Sequence, residues 1–411
     1  MNKIFIQIAS YRDNQLLPTI ADCLEKACYP NNLVFGIAWQ HAEEDEWDTL
    51  DEYRDNPRFK IIDINFKDSQ GVCWARNQIQ QLYDGEEFTL QLDSHHRFVP
   101  NWDLKLILMI KELQEKGHLK PLLTTYLPSF DPSNDPEKRV LVPWKLNYDR
   151  FIPEGVVFFL PASIDNFKEL SEPIPCRWYS AHFCFTLGSF CKEVQHDPNL
   201  YFHGEEITIA VRAYTWGYDL FSPHKLIAWH EYTRKYRKKH WDDNSNWGDR
   251  NKKSHDRVRK LLGIDKVEND IDFDCYNLGT ERTIGDYEKY AGIRFEDRAI
   301  QQYTLDHKLP PNPDAPYIKI FRHCINIHEK YLPLDDYKFI AVIFEDETGT
   351  SINRQDIDRS NIKSLLDQSD RFYRIWRTFE YTIKPHKYII WPFSEQHGWC
   401  TRIEDVIYKN E

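Results

Sequence analysis

No apolar run in this 411-residue chain approaches the roughly 18 residues needed to span a bilayer, so no membrane helix is expected. The opening Met1-Asn-Lys-Ile-Phe5 lacks the apolar stretch and small-residue cleavage site of a secretory leader, which makes a cytoplasmic location the expectation. Cys-x-x-Cys pairs are missing too. The nine cysteines are odd in number and scattered, and read as reduced core thiols rather than a disulfide framework or a zinc site. A basic excess is also lacking: the net charge of −12 argues against a nucleic-acid binder, which needs a basic face. Internal repeats and low-complexity tracts are not found.

What is present is an alternation of strands and helices. Lys3–Ala9, Leu33–Trp39 and Phe59–Ile64 read as strands, and Leu16–Ala27 and Trp74–Tyr83 as helices. This order implies an α/β fold with a mostly parallel sheet and right-handed crossovers. The next strand, Phe88-Thr-Leu-Gln-Leu-Asp93, runs into Ser94-His95. In an open α/β sheet, ligands bind at the carboxyl ends of the strands. Residues two apart in a strand share a side, so Asp93 and His95 can meet one ion. Their mixed O/N donors suit Mn²⁺ or a similar divalent ion better than Ca²⁺, and leave room for a diphosphate. The first strand ends in Ser10-Tyr11-Arg12-Asp13 at the same edge.

A second cluster starts at Phe202-His-Gly-Glu-Glu206, with apolar helical spacing through Ile207, Ala210, Val211 and Tyr214. Acids in a first turn favour the helix dipole, which is explanation enough for Glu205 and Glu206 taken alone. A turn at Gly217-Tyr-Asp219 leads to the strand Leu226–Trp229 and then His230-Glu-Tyr-Thr-Arg234. Alone, His230 would be only a polar strand end. The basic run Arg234–His240 is either a lid over a diphosphate or a solvated charge run.

Taken in order, these segments resemble retaining glycosyltransferases of the GT-A fold. The nearest likeness is to the cytoplasmic hydroxyproline-directed polypeptide GlcNAc-transferases, with the mucin-type polypeptide GalNAc-transferases more distant. Gly71-Val-Cys-Trp-Ala-Arg76, Trp102-Asp103, Tyr179-Ser-Ala-His-Phe183, Leu278–Ile284 and Tyr290–Ile293 carry it further, across residues 1–300. Where mucin-type enzymes have Trp-Gly-Gly-Glu-Asn, this chain has Phe202-His-Gly-Glu-Glu206. The resemblance implies Mn²⁺ (or Mg²⁺) held by Asp93, His95 and His230, and UDP-GlcNAc as donor. It implies that Arg76 and Arg234 face the diphosphate, where a fork of N–H donors grips phosphate oxygens. Ser10, Tyr11 and Arg12 would face the nucleotide, Ser94 would belong to the donor site, and Asp63 is a uracil or ribose candidate. Ser180 and Ala181 would let backbone approach the donor sugar. In a retaining enzyme the departing phosphate oxygen takes the acceptor proton, and Glu205 or Glu206 positions sugar hydroxyls. In an inverting one, either acid would be the general base.

The expected domains are a catalytic unit over 1–308, a proline-rich linker over 309–316 and a small β-rich module over 317–411. The module has no catalytic constellation, which suggests a role in acceptor choice or in oligomer assembly. The acceptor is expected to be a protein hydroxyl (hydroxyproline, Ser or Thr). Two alternatives stand beside it: a glycan-directed hexosamine transferase, and a non-catalytic sugar-nucleotide or carbohydrate-binding protein.

Overall fold

The computed structural model describes residues 2–233, 237–265, 267–268, 270–367 and 371–407. The chain forms two compact units, Met1–Glu296 with Tyr303–Ala315, and Asp297–Gln302 with Pro316–Glu411.

The first unit is built on an eight-stranded sheet. In chain order its strands are β1 (Ile4–Tyr11), β2 (Leu33–His41), β3 (Phe59–Asn65) and β4 (Phe88–Asp93), and a short β5 (His96–Phe98) lies just off it. Then come β6 (Pro121–Thr124), the hairpin β7 (Trp144–Phe151) and β8 (Val157–Ser163), β9 (Ile174–Pro175), β10 (Phe183–Leu187), β11 (Asp219–Ser222) and β12 (Ala228–His230). The sheet order is β3-β2-β1-β4-β10-β6-β11-β9, with β3, β2, β1 and β4 parallel throughout. This is the α/β architecture expected of a GT-A enzyme.

Strands in such a sheet are buried on both faces and so read as near-continuous apolar runs. In β1, Ile4, Ile6 and Ile8 join the larger core while Phe5, between them, enters a second cluster with Ala75 and Ile79. Helices α1 (Leu16–Lys26) and α2 (Val72–Gln80) supply the crossovers, and α3 (Trp102–Glu115) buries Trp102, Leu106 and Ile110. The chain winds outward from β1 to β3 and returns to β4 on the other side of β1. That reversal opens a crevice at the carboxyl ends of β1 and β4, the position where ligands bind in such sheets.

The second unit pairs Ile320–His328 with Phe372–Glu380, and carries a six-stranded sheet centred on Tyr337–Glu345 and Lys387–Ser394. Its core contains Phe321, Ile325, Val342, Phe344, Ile375 and Ile390, and the helix Arg359–Leu366 adds Ile362 and Leu365. Ala299–Gln301 belongs here because Ile300 lies opposite Ile318 in an antiparallel pair. Among the described residues no helix is long and apolar enough to cross a membrane.

Candidate active site

β4 ends on Asp93, which lies in register with Ala9 of β1 at the crevice. His95 follows two residues later. His230 arrives from far along the chain because β12 pairs antiparallel with β5, setting His230 opposite His96. Backbone bonds fix that arrival: His230 N–H donates to Pro128 O at 3.0 Å and Glu231 N–H to His95 O at 3.2 Å. Asp93 Oδ2 then lies 3.3 Å from His230 Nε2 and 3.6 Å from His95 Nε2. One ligand atom from each of the three lies within 4.8 Å of the others, and among the described residues this is the one such group of His, Cys, Asp or Glu. One carboxylate oxygen and two imidazole nitrogens fit a divalent transition ion of the Mn²⁺ type.

The surroundings prepare these donors. His95 Nδ1 is 2.7 Å from Asp13 Oδ2, and Ser94 Oγ donates to the same oxygen at 2.7 Å. With Asp13 beside Nδ1, the His95 ring is held with Nε2 toward Asp93, an arrangement that supports metal-binding histidines. Burial drives the His230 imidazole well below its usual value, which keeps it neutral. His182 stacks on His230 with ring centroids 4.1 Å apart, and burial brings its pKa down to about 3. Burial pushes the Asp93 carboxyl upward, but the His230 hydrogen bond and the Arg76 charge outweigh it and hold Asp93 well below the usual range.

Arg76, on α2, is buried between two carboxylates. Its guanidinium lies 2.5 Å from Glu205 Oε1 and 2.6 Å from Asp93 Oδ1. Glu205 is also 3.0 Å from His196 Nδ1. Burial raises the Glu205 carboxyl, but Arg76 and His196 reverse this and leave it lowered. Removing one partner of a buried ion pair costs about 3–5 kcal/mol, so this chain of charges anchors the position of Asp93.

Glu205 and Glu206 open helix α4 (Glu205–Thr215) behind Gly204, whose φ of +98° suits glycine. A side chain there would also meet Val258 Cγ2 at 2.4 Å. The two acids part ways at the first turn. Glu206 accepts from Tyr126 Oη at 2.7 Å and from Ala181 N–H at 3.0 Å. Burial raises its pKa to about 7 against those two hydrogen bonds.

The other expected residues lie as follows. Tyr11 lines the crevice and donates to Asp243 at 3.0 Å. Arg12, at φ +45°, pairs with Asp45 at 2.6 Å and lies 4.5 Å over the Phe66 ring. Ser10 is fully buried, and its Oγ has no hydrogen-bond partner among the described residues. Ser180 is also fully buried and donates its N–H to Thr124 Oγ1 at 2.8 Å. Asp63 stands at the end of β3 in register with Trp39, 2.8 Å from His41 Nε2 and 3.0 Å from Arg54. Arg234 lies outside the described residues. Asp13, Tyr126, His182 and Arg237 were not singled out by sequence reasoning. Asp13 and His182 stand inside the quoted segments and Arg237 in the basic run, whereas Tyr126 had no signal.

Around the triad is a cleft of about 210 Å³ lined by Tyr11, Asp13, Asp93, His95, Phe202 and His230, and also by Arg237, Lys238, Lys239, His240 and Trp241. Carboxylate and imidazole donors share this cleft with cations, a combination whose chemistry suits a metal-bound polyanion.

The sequence matches the family described as Glycosyltransferase (GlcNAc) over residues 3–57 and 49–297, and the chain belongs to that family. Comparison with curated proteins gives no match. Among solved structures the chain is similar to GalNAc-T7 with UDP, GalNAc and Mn²⁺, at 15% identity and a TM-score of 0.47, covering 64% of this chain and 48% of that one. It therefore spans about half the length of that relative. It is also similar to S. aureus TarS 1–349 in complex with UDP-GlcNAc, at 15% identity and a TM-score of 0.36, covering 59% and 61% of the two chains.

Proposed function

We propose that the protein is a metal-dependent, retaining glycosyltransferase that moves GlcNAc from UDP-GlcNAc to a hydroxyl on a protein side chain: hydroxyproline, Ser or Thr. The observation that carries this reading is the convergence of Asp93, His95 and His230 in a cleft shared with cations, in a chain of the Glycosyltransferase (GlcNAc) family. Asp93, His95 and His230 would hold Mn²⁺ or Mg²⁺. When bound, such an ion offsets the negative charge that grows on the departing diphosphate.

The chain's own residues do the rest. Asp13 orients His95, and Arg76 fixes Asp93 through the buried pair with Glu205. Tyr11, with the β1 loop, faces the nucleotide, and Asp63 near Trp39 and His41 serves the base or ribose. Ser180 and Ala181 bring backbone close to the sugar. Glu206, with a pKa raised by burial and held by Tyr126 and the Ala181 N–H, orients donor or acceptor hydroxyls, while Glu205 is committed to Arg76. The acceptor proton goes to the leaving phosphate oxygen on the same face, which needs no carboxylate base on the opposite side. The second compact unit, in this reading, selects the acceptor or assembles the chain. The product decides the stereochemistry: its anomeric proton by NMR is expected to report an α-linked GlcNAc. A β-linkage would overturn retention and make Glu206 the general base.

A further inference from the structure

We propose that Gln91 and His196 are positioning residues. They tie the Ala181 carbonyl to helix α2, whose Arg76 holds Asp93, and so set the backbone against which the donor sugar rests. The proposal deepens the reading above and rests on it, since it takes Ala181 as part of the sugar site.

Strand β4 carries the signal. Its Phe88, Leu90 and Leu92 enter the large core, while Thr89, Gln91 and Asp93 alternate with them on the opposite face. Thr89 and Gln91 are buried all the same. A strand covered on both faces is ordinarily apolar throughout, and an amide placed there costs stability unless it is hydrogen-bonded. Gln91 has a partner at each end. Its Nε2 donates to Ala181 O at 2.7 Å, and its Oε1 lies 2.5 Å from His196 Nε2. A carbonyl can only accept, which fixes the orientation of the amide and puts an imidazole hydrogen on Nε2.

His196 is fixed in turn by α2. Its backbone N–H donates to Gln80 Oε1 at 2.7 Å, and its carbonyl accepts from Asn77 Nδ2 at 2.8 Å. Asn77 and Gln80 share that helix with Arg76, whose guanidinium joins Asp93 to Glu205. Ala181 N–H donates to Glu206, and the preceding Ser180 N–H to Thr124 Oγ1. Side chains from β4, α4 and β6 thus hold the backbone at Ser180 and Ala181. Through His196, the β4 contact leads back to the helix that holds Asp93. Buried polar networks rigidify the groups they join. A displacement of about 1 Å at a reacting centre costs about a hundredfold in rate, so such a link matters more for turnover than for the fold.

Two variants of the full-length protein test this. Gln91→Met keeps the volume and loses both contacts; Gln91→Glu keeps an acceptor for His196 and loses the donor to Ala181. Each would be titrated by calorimetry in saturating Mn²⁺ with UDP and, separately, with UDP-GlcNAc, and UDP release would be followed by mass spectrometry. Both variants are expected to bind UDP within about twofold of wild type and UDP-GlcNAc about tenfold more weakly, as when one contact to the sugar is lost. UDP release from UDP-GlcNAc is expected to fall about a hundredfold. A purely structural role would weaken the two ligands together. Equal losses for UDP and UDP-GlcNAc in a variant that keeps the wild-type circular dichroism overturn the proposal, and so do wild-type affinity and release with UDP-GlcNAc. If wild type binds UDP but neither binds UDP-GlcNAc nor releases UDP from it, the donor reading beneath fails. If wild type does both and the two variants match it, only the role of Gln91 and His196 fails.

Discussion

Asp13 and Glu206 show how single side chains set this site. Among the described residues Asp13 bonds one expected metal ligand, His95, and holds the Nδ1 edge of its ring. Outer partners of this kind typically contribute 10–100-fold to metal affinity. Asp13→Ala is therefore expected to weaken Mn²⁺ binding by about that factor with circular dichroism unchanged; an unaltered titration would remove Asp13 from the account. Glu206 makes a different prediction. Its folded pKa of about 7 stands above the roughly 4.3 of an unfolded glutamate. Between those values the native state keeps a proton that the unfolded chain has lost, so this group's share of stability is full below about pH 4.3 and declines until about pH 7. Glu206→Gln removes the decline. The difference in unfolding free energy between variant and wild type should grow by about 2–3 kcal/mol in the variant's favour from pH 4.5 to 8. Parallel stability curves would contradict the raised pKa.

Helix α4 is the element that separates the two acids. It sends Glu205 to Arg76 and Glu206 to Tyr126 and Ala181, and Gly204 makes that start possible. Gly204→Ala meets both a positive φ and Val258, and is expected to cost about 1–3 kcal/mol and to lower turnover more than a surface change would. Normal stability and turnover together would show that the first turn tolerates another path. Elements of this kind were legible in the sequence where local pattern decides them. The apolar runs of β1 to β4 and the strand-end Asp93-Ser-His95 speak for themselves, because buried parallel strands leave continuous apolar runs. The individual duties of Glu205 and Glu206 were not legible, since both are first-turn acids and only packing against α2 and Tyr126 separates them. Nor was the passage of 297–302 into the second unit, which depends on Ile300 meeting Ile318 across the proline-rich segment. His230 could be linked to Asp93 only through resemblance, because the β5–β12 pairing that joins them spans more than a hundred residues.

At the scale of the whole molecule, a mixed, mostly parallel sheet brings the carboxyl ends of β1 and β4 together with a strand from much later in the chain. The donor site proposed above draws all its described residues from the first compact unit. The central claim is that this site breaks the sugar–phosphate bond of UDP-GlcNAc with a divalent ion held by Asp93, His95 and His230. The direct measurement is UDP release from UDP-GlcNAc by the full-length protein, followed by mass spectrometry with Mn²⁺ and with a chelator. The account predicts release with Mn²⁺, its loss on chelation, and its loss in Asp93→Ala and His230→Ala variants that keep the wild-type circular dichroism. Release that persists in chelator, or in either variant, would contradict it.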